Sequence, residues 1–319
     1  MNRAAVGRFL VLLGLIALAP FPALAVKGTS RILVTPSAPE TVPAAVSTGE
    51  IDRNFPMGTK AGDKDVAVII GNRNYQVPGV PPVEYAHRDA EAMKGHLIST
   101  FGFRPENIID VRDAGLVKFN EIFGSESEAR GKLYNYVRKG TSNVFIYYVG
   151  HGAPDVNSRE AYFVPVDADP RYIGSSGYRL KTFYGNLSKV PAKSMTVVLD
   201  ACFSGNTGKG TLLKGISPAL VVVEQDSSVP PNTTLFASGS VHQVSTWYPE
   251  KGHSLFTYFF LLGIRGEADA NRDGAVTAGE MRAYLEDKVT YMARRLGGID
   301  QTPLVVGNEN EVLVKFKKR

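Results

Sequence analysis

TVVLDACFSG, residues 196–205, runs from a continuous apolar segment through Asp200 and Ala201 into Cys202, the only cysteine in 319 residues. An apolar run that stops at charge or glycine marks a strand buried on both faces. The same pattern recurs in VAVIIG (66–71), NIIDV (107–111), NVFIYYVGHG (143–152) and NTTLFASGS (232–240). Between these runs the spacing turns helical. In AHRDAEAMKGHLISTFGF (86–103), Ala86, Ala90, Met93, Leu97 and Ile98 share one face. SEARGKLYNYVRKG (127–140) and HSLFTYFFLLGIRG (253–266) read as further helices, and AYFVPVDAD (161–169) as a small hairpin. Strand alternating with helix predicts an α/β domain, a mostly parallel central sheet with helices on both faces. Ligands of such sheets gather beyond the carboxyl ends of the strands. The third run ends there at His151, and the fourth at Cys202.

A thiol with a pKa near 8.5 is only about 3% ionised at pH 7, so a nucleophilic cysteine needs a basic or cationic neighbour. Histidine can take the thiol proton and return it to a leaving amine. Of the five histidines, His87 and His96 fall on the first helix and read as surface or structural, while His242 and His253 flank a loop and stay open as partners. His151 follows an apolar strand and stands between two glycines that allow close backbone approach to a ligand. Alone, Gly-His-Gly fits a plain turn and a lone cysteine fits a core position. Together they carry more, because His151 precedes Cys202 by 51 residues, close to the roughly 50-residue separation of the caspase signature.

In VAVIIGNRNY, HRDAEAMKGHL, FIYYVGHG, VLDACFSG, FASGSVHQVSTWYPEKGHSLFTYFFLLGIRG and QTPLVV, the chain resembles the caspase-like cysteine peptidases, specifically the bacterial metacaspase-like (orthocaspase) branch. The resemblance spans most of residues 64–307. It implies the caspase-haemoglobinase fold, His151 as general base and acid, and Cys202 as nucleophile. It also implies an oxyanion hole from the backbone N–H groups of Gly152 and Cys202. Where caspases have Gln two residues before the nucleophile, this chain has Asp200. In metacaspase-like relatives that acid and one early in the first helix, here Asp89, line a pocket for Arg or Lys before the scissile bond. Two carboxylates suit a guanidinium or an ammonium and repel an acidic side chain. The plain alternative is that Asp200 caps a turn and Asp89 is solvated; Asp155 reads as a loop acid. Caspase relatives are often cut between their two halves, which makes Lys209 and Lys214 candidate self-cleavage sites if the pocket is acidic; an unprocessed active single chain fits the sequence equally well.

Residues 1–25 combine Arg3 and Arg8, an apolar run and an Ala-Leu-Ala end, the pattern of a cleaved secretory signal. The mature protein is therefore expected to be exported, periplasmic or secreted, with no stable membrane span. Residues 26–63 are rich in Pro, Ala and Ser and read as a linker or pro-segment. The peptidase domain is expected at 64–319, as a large-subunit-like part (64–207), a linker (208–231) and a small-subunit-like part (232–319). Removing Arg3 and Arg8 from the formal +5 leaves +3, which is no footprint for nucleic acid.

DANRDGAVTAGE (269–280) fits an EF-hand loop without a mismatch. Asp269, Asn271, Asp273, the Ala275 carbonyl, Thr277 and Glu280 stand at the positions that would ligate Ca2+. Catalysis itself calls for no cofactor. The rival reading of the whole chain is a catalytically silent caspase-like binding protein, responsive to calcium through this loop.

Overall fold

The computed structural model describes residues 49–317 except 60, 156–157, 204–205, 208–209, 212–228, 240–242 and 244, with 206–207 and 210–211 described by backbone alone. The signal expected at 1–25, residues 26–48, Lys209, Lys214 and His242 lie outside the described residues. A six-stranded sheet forms the centre, made of β1 (Val66–Gly71), β2 (Ile108–Arg112), β3 (Asn143–Val149), β4 (Ser194–Asp200), β5 (Thr233–Ala237) and β6 (Leu304–Val306). Its order is β6-β5-β4-β3-β1-β2, with β6 alone antiparallel to its neighbour. The expected α/β architecture with a mostly parallel sheet is the observed one.

Helices cover both faces: α1 (Ala86–Ser99), α2 (Leu116–Phe123), α3 (Lys132–Tyr136), α4 (Leu180–Leu187), α5 (Leu255–Leu262) and α6 (Ala278–Gly297). Successive strand side chains point to opposite faces, which divides the apolar runs between two cores. Ala67, Ile69, Phe145, Tyr147, Val149 and Val198 pack with α1, α5 and α6. Val66, Val68, Ile70, Val144, Ile146, Tyr148, Val197 and Leu199 pack with α2, α3 and α4. Every residue of β1 is buried, which explains why its sequence does not alternate. Each fully buried Val, Ile or Phe contributes roughly 1.5–3 kcal/mol relative to exposure, so these runs hold the frame of the site.

A helix is added to the expectations and two local expectations are corrected. LVKFNEIF (116–123) forms α2, burying Phe119, Ile122 and Phe123 while Val117 is exposed. The helix expected over 127–140 contracts to the five residues of α3, because Gly131 is extended and closes onto α2. A Cβ there would lie 2.4 Å from the Ile122 carbonyl oxygen. The hairpin expected within 161–169 is instead the middle of a three-stranded sheet, with Ala161–Phe163 between Gly152–Pro154 and Tyr178–Arg179.

Residues 49–59, placed by sequence in a linker, pack on the α1 side. Ile51 is fully buried and its carbonyl accepts from His96 Nε2 at 3.0 Å, Phe55 lies edge-on to His96, and Gly58 bridges Phe316. No described helix is long and apolar enough to cross a membrane.

Candidate active site

Strand register sets the two candidate reactive residues at the same ends of neighbouring strands. Val149 of β3 pairs with Asp200 of β4, so His151 and Cys202 each stand two residues past the same rung. The ladder continues, with Gly150 N–H donating to the Asp200 carbonyl at 3.2 Å. Gly152 lies so close to the next loop that a Cβ would sit 2.6 Å from the Phe203 ring and 3.1 Å from the Cys202 carbonyl oxygen. The glycine after His151 is therefore a steric requirement of this junction.

The loop between β1 and α1 fixes the imidazole. His151 Nε2 lies 2.7 Å from the Pro81 carbonyl oxygen. A carbonyl only accepts, so Nε2 carries the hydrogen and Nδ1 keeps the lone pair. Tyr75 Oη accepts the His151 backbone N–H at 2.7 Å, and its ring centroid is 4.6 Å from the imidazole. Tyr148 Oη donates to the His151 carbonyl at 2.7 Å. Burial pushes the imidazole down to about 4, against the opposing pull of Pro81, so His151 is neutral at pH 7.

Cys202 is partly exposed as a residue, whereas its sulfur sits under Ser245, whose backbone N–H donates to Sγ at 2.6 Å. Desolvation pushes the thiol up to about 11, outweighing the Ser245 contacts, and the Asp200 charge adds to the rise. The resting pair is thus neutral thiol and neutral imidazole. Gln301 steadies the covering loop by accepting from Thr246 N–H and donating to the Ser238 carbonyl, each at 2.9 Å.

Asp89 and Asp200 converge on Ser254. Asp89 accepts the Ser254 N–H at 3.1 Å, and Asp200 accepts the Ser254 hydroxyl and that of Thr257, the latter at 2.7 Å. Tyr147 Oη lies 2.6 Å from Thr257 Oγ1 beneath them. Desolvation raises both carboxyls, Asp200 to about 6 with Asp89 adding repulsion. Neither acid is solvated or merely a cap: Asp89 is 0% exposed and Asp200 4%. Asp155 is elsewhere, taking the Ser158 hydroxyl at 3.1 Å within its own turn.

The other histidines separate cleanly. His87 pairs with Asp113 at 2.8 Å, and His96 is a buried packing residue held down at about 3 by desolvation. His253 lies between Asp89, 2.6 Å from Nδ1, and Asp52, 3.1 Å from Nε2. Desolvation opposes its charge, yet the two carboxylates raise it to about 9. Pro81, Tyr75, Ser245 and Asp52 escaped sequence reading, and His253, left open there as a partner of the thiol, pairs with the acids instead. The Pro-rich stretch 77–82 was the one visible hint that this loop has a fixed course.

The loop at 269–280 makes an EF-hand-like turn with its own strand partner. Ala275–Thr277 pairs antiparallel with Val312–Lys315, where paired EF-hands would use each other. Gly274 takes the left-handed turn at φ +84°. Asp269 accepts from Asp273 and Gly274 N–H, Asn271 from Asp273, and Asp273 from Ala275. Glu280 caps α6 through Thr277. The donors suit a hard cation chemically, but among the described residues no three His, Cys, Asp or Glu side chains stand together to hold a metal.

No protein of curated function matches this sequence. The crystal structure of caspase-1 from Spodoptera frugiperda superimposes with a TM-score of 0.54 at 14% identity, covering 84% of this chain and 96% of that one. At that identity the likeness is one of fold. The model of the caspase domain matches residues 64–308, which include both strand ends and the acid pair. With that match over most of its length, and the sheet, strand order and site described above, the chain belongs to the caspase domain family.

Proposed function

We propose that this protein is an exported cysteine endopeptidase of the metacaspase-like branch, cleaving after Arg or Lys through a Cys202–His151 acyl-enzyme. The register of Val149 against Asp200, with His151 and Cys202 each two residues past that rung, is the observation that supports the reading. With His151 Nε2–H committed to Pro81, Nδ1 takes the thiol proton as sulfur attacks the scissile carbonyl. The oxyanion falls to the N–H groups of Gly152 and Cys202, donors of the kind worth roughly 3–4 kcal/mol each in acyl transfer. Collapse expels the amine, which takes the proton from Nδ1–H. Water then hydrolyses the thioester with Nδ1 as base again. Starting from a neutral pair, proton transfer and attack go together.

Charge supports the basic preference. Asp52, Asp89 and Asp200 face two cations, Arg88 and His253, so the ionised cluster has one negative charge in excess. Asp200, whose carboxyl partners are hydroxyls and an amide, is the uncompensated one. A guanidinium or ammonium would supply the missing charge, and an acidic side chain would add a second repulsion. The leader at 1–25 supports export, to the periplasm or beyond. Self-cleavage at Lys209 or Lys214 and Ca2+ at 269–280 are proposals of the same reading, the latter tested by a rise in melting temperature on titrating calcium into chelated protein.

The test is hydrolysis of fluorogenic peptides ending in Arg, Lys or Asp by the chain from Val26, alongside Cys202→Ala and Asp200→Asn. Turnover of the Arg and Lys peptides, abolished by Cys202→Ala and cut about 100-fold by Asp200→Asn, is the expected outcome. Cleavage after Asp alone would reject the acidic pocket, and no cleavage by folded protein would favour the silent binding protein.

A further inference from the structure

The segment ahead of the family's domain reaches the acid pair. Asp52 lies upstream of the matched region, which begins at residue 64, and its carboxylate is only 12% exposed. One oxygen takes Arg88 at 2.6 Å and Gly49 N–H at 2.8 Å. The other stands 3.1 Å from His253 Nε2, at ion-pair distance though not aligned as a hydrogen bond. His253 is fully buried and places Nδ1 2.6 Å from Asp89. An imidazole enclosed by a carboxylate at each nitrogen is held as the cation, since a lone pair facing either oxygen would be repelled. Its neighbour Ser254 bonds Asp89 through the backbone and Asp200 through the hydroxyl. Asp52, His253, Asp89, Ser254 and Asp200 therefore form one continuous chain of polar contacts, buried except at its Asp52 end.

We propose that Asp52 is a specificity-determining residue: acting through His253, it sets the charge that the Asp89–Asp200 pocket offers to a basic substrate side chain. This rests on the pocket reading above and extends it to residues outside the family's domain. The charged and titratable groups around His253 are few. The N-terminal segment brings Asp52 and Glu50, and α1 brings Asp89 and Arg88. From α5 comes Tyr258, which bonds Glu50 at 2.8 Å and lies under Lys251, while Asp200 joins through Ser254. While His253 keeps its proton, removing the Asp52 charge cancels the single excess negative charge of the cluster. Removing the Arg88 charge doubles it. The two substitutions therefore act in opposite directions, which loss of a merely structural contact would not produce.

The experiment uses the chain from Val26 and two peptides differing only in Arg or citrulline before the scissile bond, a neutral isostere that isolates charge. The readout is the ratio of their kcat/KM values. For Asp52→Asn the Arg/citrulline ratio should fall roughly tenfold, chiefly through KM, the effect of one charge acting over about 10 Å at an effective dielectric near 20. Asp52→Glu should restore most of it, and Arg88→Gln should raise it. NMR titration of the His253 ring should show its proton lost at lower pH in Asp52→Asn. A ratio unchanged within twofold while that titration moves would overturn the inference and leave the peptidase intact. Wild-type protein that cleaves neither peptide, or both equally, would refute the pocket reading and this inference with it. If Asp52→Asn does not fold, Arg88→Gln decides, since an unchanged or lowered ratio there overturns the proposal.

Discussion

Because Cys202 is the only cysteine, its ionisation can be followed by mass alone. Its thiol sits near 11 and His151 near 4, so no thiolate–imidazolium pair exists at rest. At pH 7 a thiol of pKa 11 is ionised to about 0.01%, against about 3% for a free thiol, a roughly 300-fold deficit. A more basic thiolate is intrinsically more nucleophilic, which recovers about 13-fold for a Brønsted slope near 0.45. Alkylation of Cys202 by iodoacetamide at pH 7 should therefore be about 20-fold slower than that of a free cysteine peptide, before any steric shielding by Ser245. The rate should climb steadily with pH to beyond 10, without a plateau at low pH. Incubation of folded protein across pH 5–10, with intact mass measured over time, reads both quantities. A rate that is flat between pH 5 and 8 would show a preformed ion pair and refute the neutral-pair reasoning, including the proton transfer coupled to attack.

Tyr75→Phe removes the acceptor of the buried His151 N–H while keeping the ring against the imidazole. It should lower kcat roughly tenfold with KM nearly unchanged, since an orphaned buried donor costs about 1–3 kcal/mol; an unaltered kcat would show that Pro81 suffices. Gly152→Ala drives a methyl into the Phe203 ring, and steady-state assays should find kcat/KM down at least about 100-fold from displacement of the oxyanion donor. Wild-type rates in that variant would reject the close junction. The His253 pKa is raised, so its stabilisation is complete below its ordinary value near 6.5 and is lost as pH rises through about 9. Thermal melts should show Tm declining from pH 6.5 to 9, and a decline equally steep in His253→Gln would assign it to other groups.

The chain's own letters determined the sheet and the two strand ends that carry the candidate residues. Burial on both faces leaves unbroken apolar runs in β1, β3 and β4, a local signal that survives without knowledge of partners. His151 and Cys202 were legible because each follows such a run directly. The short helices α2 and α4 were not, because eight residues offer too few turns for a period to stand out, and their apolar faces matter only once the sheet is beneath them. Tertiary structure alone decided what surrounds the candidate pair. Pro81 and Tyr75 reach His151 from about 70 residues away, Ser245 covers Cys202 from 43, and Asp52 reaches His253 across some 200. Hydrogen bonds and ion pairs of this kind have no period along the chain. They are selected by desolvation, which forces each buried polar atom to find whatever partner the fold has brought within 3 Å.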